Sequence, residues 1–80
     1  MKKQYVIKLR NNDGVFYIFG GTFCMHGQRY AKLTELISEA KCYGDRSHAI
    51  NSLNRLTYKC VNLNPNRYIY REIVELPNED

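Results

Sequence analysis

The stretch Gln4–Phe19 (QYVIKLRNNDGVFYIF) decides the fold class, because its pattern is that of two β-strands joined by a turn. Apolar and polar residues alternate over Gln4–Arg10, which is typical of a half-buried strand. The next four residues, Asn11–Gly14, are all turn formers, and Val15–Phe19 is continuously apolar and rich in β-forming residues. The sequence therefore predicts an N-terminal β-hairpin, with Gly20-Gly21 ending its second strand.

The chain between this hairpin and the next clear element has a weaker pattern. Turn formers and helix formers interrupt its apolar residues, so we expect only short elements there. The pattern favours a short strand at Thr22–Met25, a turn at His26–Gln28, a third strand at Arg29–Leu33, a turn or one helical turn at Leu33–Ala40 and a short strand at Ala40–Tyr43.

The segment Asp45–Val61 is predicted to be the main helix. Asp45 or Ser47 can cap its first turn, because a side-chain oxygen there accepts from an unpaired backbone N–H. Helical spacing then aligns one apolar stripe. The stripe consists of Ala49, Ile50, Leu53, Leu56 and Cys60. A loop is expected at Asn62–Asn66, where Pro65 prevents the helix from continuing.

Arg67–Leu76 (RYIYREIVEL) is predicted to be the last strand. The element order favours an α+β fold, in which a small antiparallel sheet packs against one main helix. The sheet would contain the N-terminal hairpin, one or two short strands and the C-terminal strand. We expect residues 1–77 to form a single domain and residues 78–80 to form an acidic tail.

Composition limits the function classes. The chain has 80 residues, 44% of them hydrophobic and 25% charged, which is ordinary for one small globular domain and too short for a multidomain enzyme. No apolar run approaches the ~20 residues of a membrane span. The N-terminal residues lack the apolar core of a signal peptide. We therefore expect a cytoplasmic protein without a membrane partner.

Positive charge is concentrated in residues 46–71, which contain five basic residues and no acidic residue. The whole chain has a net charge of +4. The chain also has seven tyrosines and no tryptophan. Tyrosine and arginine are enriched at protein-binding hot spots, and a basic face with aromatic rings also suits nucleic acid. The candidate partner-binding residues are Arg55, Tyr58, Lys59, Arg67, Tyr68, Tyr70 and Arg71.

No motif for catalysis or cofactor binding is present. Cys24, Cys42 and Cys60 form no closely spaced pair, and their odd number argues against a disulfide framework. Cys24 and His26 could contribute to a zinc site, but the paired ligand spacing of such sites is missing. We predict no catalytic residue, no metal and no cofactor.

Three segments resemble small proteins of phages and prophages of low-GC Gram-positive bacteria. They are Lys3–Leu9 (KQYVIKL), Glu39–Tyr43 (EAKCY) followed by Ala49, and Arg71–Leu76 (REIVEL). The resemblance covers most of the chain and implies a strand, a short strand leading into a helix, and a final strand. It carries no catalytic residue, and Cys42 stands where a large apolar residue is more usual.

The resemblance implies a function that involves binding and no catalysed reaction. Some small phage proteins are anti-CRISPR or other anti-defence inhibitors, which occlude a host protein or nucleoprotein complex. The leading hypothesis is therefore a non-enzymatic protein that inhibits such a partner sterically. The alternatives are a nucleic-acid-binding module that uses the basic helix face and last strand, and a homodimeric accessory protein that pairs through a strand edge.

Overall fold

Four antiparallel strands and one long helix form the part of the chain that the computed structural model describes, residues 3–63 and 70–76. The strands are β1 (Gln4–Asn11), β2 (Gly14–Met25), β3 (Gln28–Thr34) and β4 (Tyr70–Leu76), and the helix is α1 (Arg46–Lys59). Short 3-10 turns lie at Ile37–Glu39 and Val61–Leu63. The strand order in the sheet is β3-β2-β1-β4. The predicted α+β class is confirmed.

The N-terminal hairpin is confirmed with a tighter turn than the sequence suggested. β1 and β2 pair from Lys8 opposite Tyr17 to Asn11 opposite Gly14, which leaves two residues in the loop. The side-chain oxygen of Asn11 accepts from the backbone N–H of Asp13 at 2.8 Å. This side-chain bond to the backbone two residues on stabilises the reversal of the chain.

The prediction that Gly20-Gly21 ends the second strand is wrong, because β2 continues through both glycines to Met25. The pairing with β3 shifts there, from Ile18 opposite Leu33 to Thr22 opposite Ala31. The two glycines have φ angles of +110° and +80°, which side-chain-bearing residues rarely adopt. They form a bulge, and the strand expected at Thr22–Met25 is the second half of β2.

The elements expected after this bulge are present with small changes. A turn at His26 and Gly27 leads into β3, which extends the predicted third strand at both ends, and the 3-10 turn at Ile37–Glu39 matches the expected single helical turn. The short strand expected at Ala40–Tyr43 is reduced to one bridge, in which Tyr43 exchanges two 2.8 Å hydrogen bonds with Tyr5.

Helix α1 packs on one face of the sheet and closes the core. The Asp45 side chain accepts from the Ser47 backbone N–H at 2.8 Å, so Asp45 is the N-cap. Four of the five stripe residues contact the core, and the fifth, Ile50, is exposed instead. The buried residues that cluster beneath α1 are Ile7, Leu9, Ile18, Ala31, Ala49, Cys60 and Leu63. Val6, whose side chain points to the opposite face of the sheet, and Ala40 are buried outside this cluster.

The 3-10 turn after α1 covers the outer edge of β3. The Asn62 side-chain amide donates to the Ala31 carbonyl and accepts from the Ala31 N–H, both at 2.9 Å. The Asn62 amide thus makes the two hydrogen bonds that a further strand would make with the backbone of Ala31.

β4 pairs antiparallel with β1 along its whole length, from Gln4 opposite Leu76 to Arg10 opposite Tyr70. The C-terminal strand is thereby confirmed from Tyr70 onwards. The expected start of this strand at residues 67–69, most of the loop at residues 64–66 and the acidic tail at residues 78–80 lie outside the described residues. No helix in the described part of the chain is long and apolar enough to cross a membrane.

Candidate binding surfaces

The outward side of α1 brings together three of the predicted site residues. Arg55, Tyr58 and Lys59 are spaced i, i+3 and i+4, so their side chains are neighbours on the helix surface. All three are exposed, and Tyr58 is 92% exposed. No acidic residue occurs between Arg46 and Lys59. We call Arg55, Tyr58 and Lys59 the helix ridge, which is a basic surface that includes one aromatic ring.

The predicted residues of the last strand lie elsewhere. Tyr70 pairs with Arg10 and Arg71 pairs with Leu9, so the two side chains point to opposite faces of the sheet. Arg71 points towards α1, where its guanidinium donates to Thr57 Oγ1 at 2.6 Å and to the carbonyl oxygen of Leu63. Arg71 is thus a half-buried connection between β4, α1 and the following turn.

The predicted set therefore divides into separate groups. The helix ridge lies on one side of the sheet, and the Tyr70 side chain points to the other side. The Arg71 side chain makes hydrogen bonds within the fold. Arg67 and Tyr68 lie outside the described residues. The joint role of the seven predicted residues in binding a partner stays a prediction.

The sheet face opposite α1 carries a second surface, which we call the open face. Strand alternation and cross-strand pairing place its side chains, because paired residues point to the same side. Its aromatic residues are Tyr17, Phe19, Phe23, Tyr30 and Tyr70, and its basic residues are Lys8, Arg10 and Lys32. Phe19 and Tyr70 are each 47% exposed, and Phe23 is 41% exposed.

Rings and cations contact one another on the open face. The Phe23 and Tyr30 rings stack with centroids 5.4 Å apart and planes inclined by 16°. The Arg10 guanidinium carbon lies 5.5 Å from the centre of the Tyr70 ring, within the range of a cation–π contact. Lys32 lies beside the bulge, since a Cβ at Gly21 would be 3.9 Å from its Cδ.

The acidic content of the open face is small. Glu72 pairs with Lys8 across β1 and β4, so the one negative charge that the described strands place here faces a positive one. A second carboxylate, that of Glu39, accepts from Thr34 Oγ1 at 3.1 Å on this face, so three basic residues stand against two acidic ones. Aromatic rings and positive charge thus occupy the same surface.

Sequence reasoning missed the open face because Val15–Phe19 is continuously apolar, so its pattern does not indicate which side chains face outwards. A detectable signal was present in the hairpin register. Once the turn is placed at Asn12-Asp13, Lys8 and Arg10 fall on the same face as Tyr17. Phe23 lies on that face because β2 continues through Gly20-Gly21, where the sequence pattern predicted that the strand ends.

The cysteines form no common site. Cys24 and Cys42 are exposed and Cys60 is buried, and all three are free thiols. Burial raises the pKa of the Cys60 thiol, and the positive charges of Arg29 and Lys59 oppose this shift. Within residues 3–63 and 70–76, no three His, Cys, Asp or Glu side chains lie together in a way that could hold a metal ion.

Comparison with known proteins gives no family assignment. No protein-family model matches the chain, and neither a curated protein nor a solved structure matches it. The resemblance to small phage proteins and the homodimer hypothesis both stay predictions. Function must therefore be inferred from the helix ridge and the open face.

Proposed function

We propose that this protein is a non-enzymatic binding protein of the cytoplasm that sterically blocks a host protein or nucleoprotein complex. The observation that carries the proposal is Tyr58, which is 92% exposed between Arg55 and Lys59. The helix ridge is the anchor that contacts the partner. The expected phage-type role supports the same mode of action, because a small rigid domain inhibits by covering a surface.

The fold itself does not require Tyr58. Leu53 and Leu56 supply the packing of this part of α1 against the sheet, while the Tyr58 ring lies in solvent. A tyrosine combines a large apolar ring with a hydroxyl, and it loses little side-chain entropy on binding. Tyrosine and arginine are the residue types that most often dominate binding energy at protein interfaces.

The positive charge of the helix ridge indicates the charge that its partner surface should carry. Arg55 and Lys59 flank Tyr58, and the helix contains no acid that would neutralise them. An acidic patch on the partner would therefore be complementary, and such complementarity raises the association rate and selects the partner. We propose a host protein surface rich in Asp and Glu as the target.

The test begins with capture of a partner from nuclease-treated Gram-positive lysate and continues with the purified partner. We expect Tyr58→Ala to weaken binding by about 30-fold, the effect of a hot spot worth about 2 kcal/mol. Arg55→Glu should weaken it further by opposing an acidic surface. Calorimetry or surface plasmon resonance measures both dissociation constants.

Matched controls exist within the same fold. Arg46→Glu makes the same charge reversal at the other end of α1, and Tyr70→Ala makes the same truncation on the opposite face. Neither control should change the affinity by more than about twofold. A partner that binds Tyr58→Ala and Arg55→Glu as tightly as the wild type, or that is lost after nuclease treatment, would refute the proposal.

A further inference from the structure

We propose that the open face binds single-stranded nucleic acid, with its aromatic rings stacking on bases and its basic side chains contacting phosphates. This site is separate from the helix ridge, because α1 packs on the other face of the sheet. It also binds a ligand of another class than the proposed protein partner. The observations that carry it are the exposed rings and the cations placed among them.

The rings are placed where bases can reach them. Tyr17 and Phe19 are two residues apart on β2, which separates them by about 7 Å along the strand. Each ring is therefore available to a different base. Phe23 and Tyr30 already stack on each other across β2 and β3, so this pair forms a preformed apolar platform. Stacking on such rings tolerates any base, since every base has a π-face.

The cations supply charge complementarity to a phosphate chain. Lys8, Arg10 and Lys32 lie on three positions of the same face, and Glu72 is balanced by Lys8. Arg10 is held over the Tyr70 ring, which positions its guanidinium before any ligand binds. A single strand carries flat bases as side groups on a sugar-phosphate chain, so it presents both chemical partners that these rings and positive charges would bind.

The bulge leaves room on the surface. Gly21 lies between Phe19 and Phe23 along β2 and has no side chain. The nearest side chain to the position of its missing Cβ is the flexible stem of Lys32, 3.9 Å away. A base or a sugar can therefore approach the backbone between the two phenylalanines.

These features favour a single strand over a duplex. Bases in a duplex are stacked on each other and cannot lie flat on protein rings, whereas bases of a single strand are free to do so. Binding by phosphate contacts alone would not use the rings. The proposal therefore distinguishes this site from a general basic patch.

The test is fluorescence anisotropy of labelled 12-nucleotide dT and U oligonucleotides, alongside a duplex of the same length. We expect the wild-type protein to bind a single strand at least tenfold more tightly than the duplex. Phe23→Ala and Phe19→Thr should each weaken binding by about 5- to 150-fold, the range of one to three kcal/mol per stacked base. Tyr58→Ala on the helix ridge is the matched aromatic control and should leave binding unchanged.

Salt dependence and intrinsic fluorescence give two further measurements. A single strand loses affinity with a log–log slope of about −0.7 per phosphate contacted, so Lys32→Gln should reduce the slope by about that amount. The protein has seven tyrosines and no tryptophan, so stacking should quench its tyrosine emission without any substitution. Quenching that persists in Tyr58→Ala reports binding at the open face even if a phenylalanine variant folds poorly.

Four results would overturn the proposal. One is no binding of either oligonucleotide at low salt, and another is equal affinity for the duplex. The third is binding that survives the open-face variants but is lost in Arg55→Glu, which would assign nucleic acid to the helix ridge. Loss of a nuclease-resistant protein partner in Phe23→Ala would show that the open face binds protein instead. The first two outcomes leave the test of Tyr58 with the protein partner unchanged, so the two proposals can fail separately.

Discussion

Cys60 has a different environment from the other two cysteines. It lies at the C-terminal end of α1 within the core and is only 2% exposed, whereas Cys24 and Cys42 are exposed. Removal of the thiol from water disfavours the thiolate, so burial raises the pKa of Cys60. Arg29 and Lys59 favour the thiolate, and their effect is smaller than that of burial.

We therefore predict two fast thiols and one slow thiol in the folded protein. The thiolate is the reactive species, so Cys24 and Cys42 should react with a disulfide reagent at rates typical of exposed cysteines. Cys60 should react only as the protein unfolds. Stopped-flow absorbance in the presence and absence of urea measures the three rates. Three equal rates in the absence of urea would contradict the burial of Cys60.

The same pKa shift predicts how stability depends on pH. Because the folded protein holds the Cys60 thiol neutral, its contribution is fully present below the pKa of the unfolded chain. That contribution is lost as the pH rises from the unfolded pKa through the folded one. Cys60→Ala should lower stability at neutral pH but remove this alkaline loss, and Cys42→Ala should leave the loss unchanged. Urea unfolding across the alkaline range measures both effects.

The bulge in β2 determines how the sheet elements are arranged. Gly20 and Gly21 let three residues of β2, Phe19 to Gly21, span the one residue of β3 between Leu33 and Ala31. The strand then continues with its faces unchanged, so Phe23 lies on the same side as Phe19. The open face extends to Phe23 because β2 continues through these two glycines, which adopt the positive φ angles of the bulge.

We predict that Gly21→Ala lowers the free energy of unfolding by about 1–2 kcal/mol. The backbone there has φ +80°, and a Cβ in the left-handed region is penalised although its nearest contact is an ordinary 3.9 Å. Gly20→Ala should cost more, because φ is +110° and the Cβ would lie 3.3 Å from Lys41.

Gly44→Ala is the matched control for these substitutions. Gly44 does not have positive φ, and nothing lies within 4 Å of its missing Cβ. This change should be neutral or slightly stabilising, since alanine restricts the unfolded chain. Urea denaturation of the three variants measures the differences. An equal effect at Gly44 and Gly21 would show that backbone conformation is not the cause.

Local signals explain which elements were predictable. The hairpin and α1 follow from turn formers, capping residues and short-range periodicity, and the structure has both. The exposure of Phe19 and Phe23 depends on which face α1 covers, which is a long-range property. The basic segment of the sequence contains both Tyr70 and Arg71, so both were predicted to bind the same partner. Neighbouring residues of a strand, however, point to opposite faces of the sheet. The opposite orientations of Tyr70 and Arg71 become evident only when the register with β1 is known.

The whole molecule is a sheet with a different surface on each side. One side is covered by α1, whose outward residues form the helix ridge, and the other is the open face. Arg71 connects the layers on the covered side, since one side chain reaches from β4 to Thr57 of α1 and to the carbonyl of Leu63. Arg71 therefore contributes to the stability of the fold, and a partner that contacts either surface would not reach its guanidinium hydrogen bonds.

We predict that Arg71→Met lowers the free energy of unfolding by about 2 kcal/mol and leaves binding at both surfaces unchanged in the folded fraction. Hydrogen bonds from a charged group contribute about 1.5–3 kcal/mol, and loss of the guanidinium leaves the Leu63 carbonyl without this donor. Arg55→Met is the control, because Arg55 is exposed and should have little effect on stability.

Urea unfolding measures the loss, and oligonucleotide anisotropy well below the unfolding midpoint measures binding. Arg71→Met could instead unfold like the wild type and bind the oligonucleotide more weakly when fully folded. That result would show that Arg71 contacts the ligand, as its position in the basic segment first suggested. The two readouts separate a stabilising role from a binding role, because the first acts on the population of folded protein and the second on the affinity of each folded molecule.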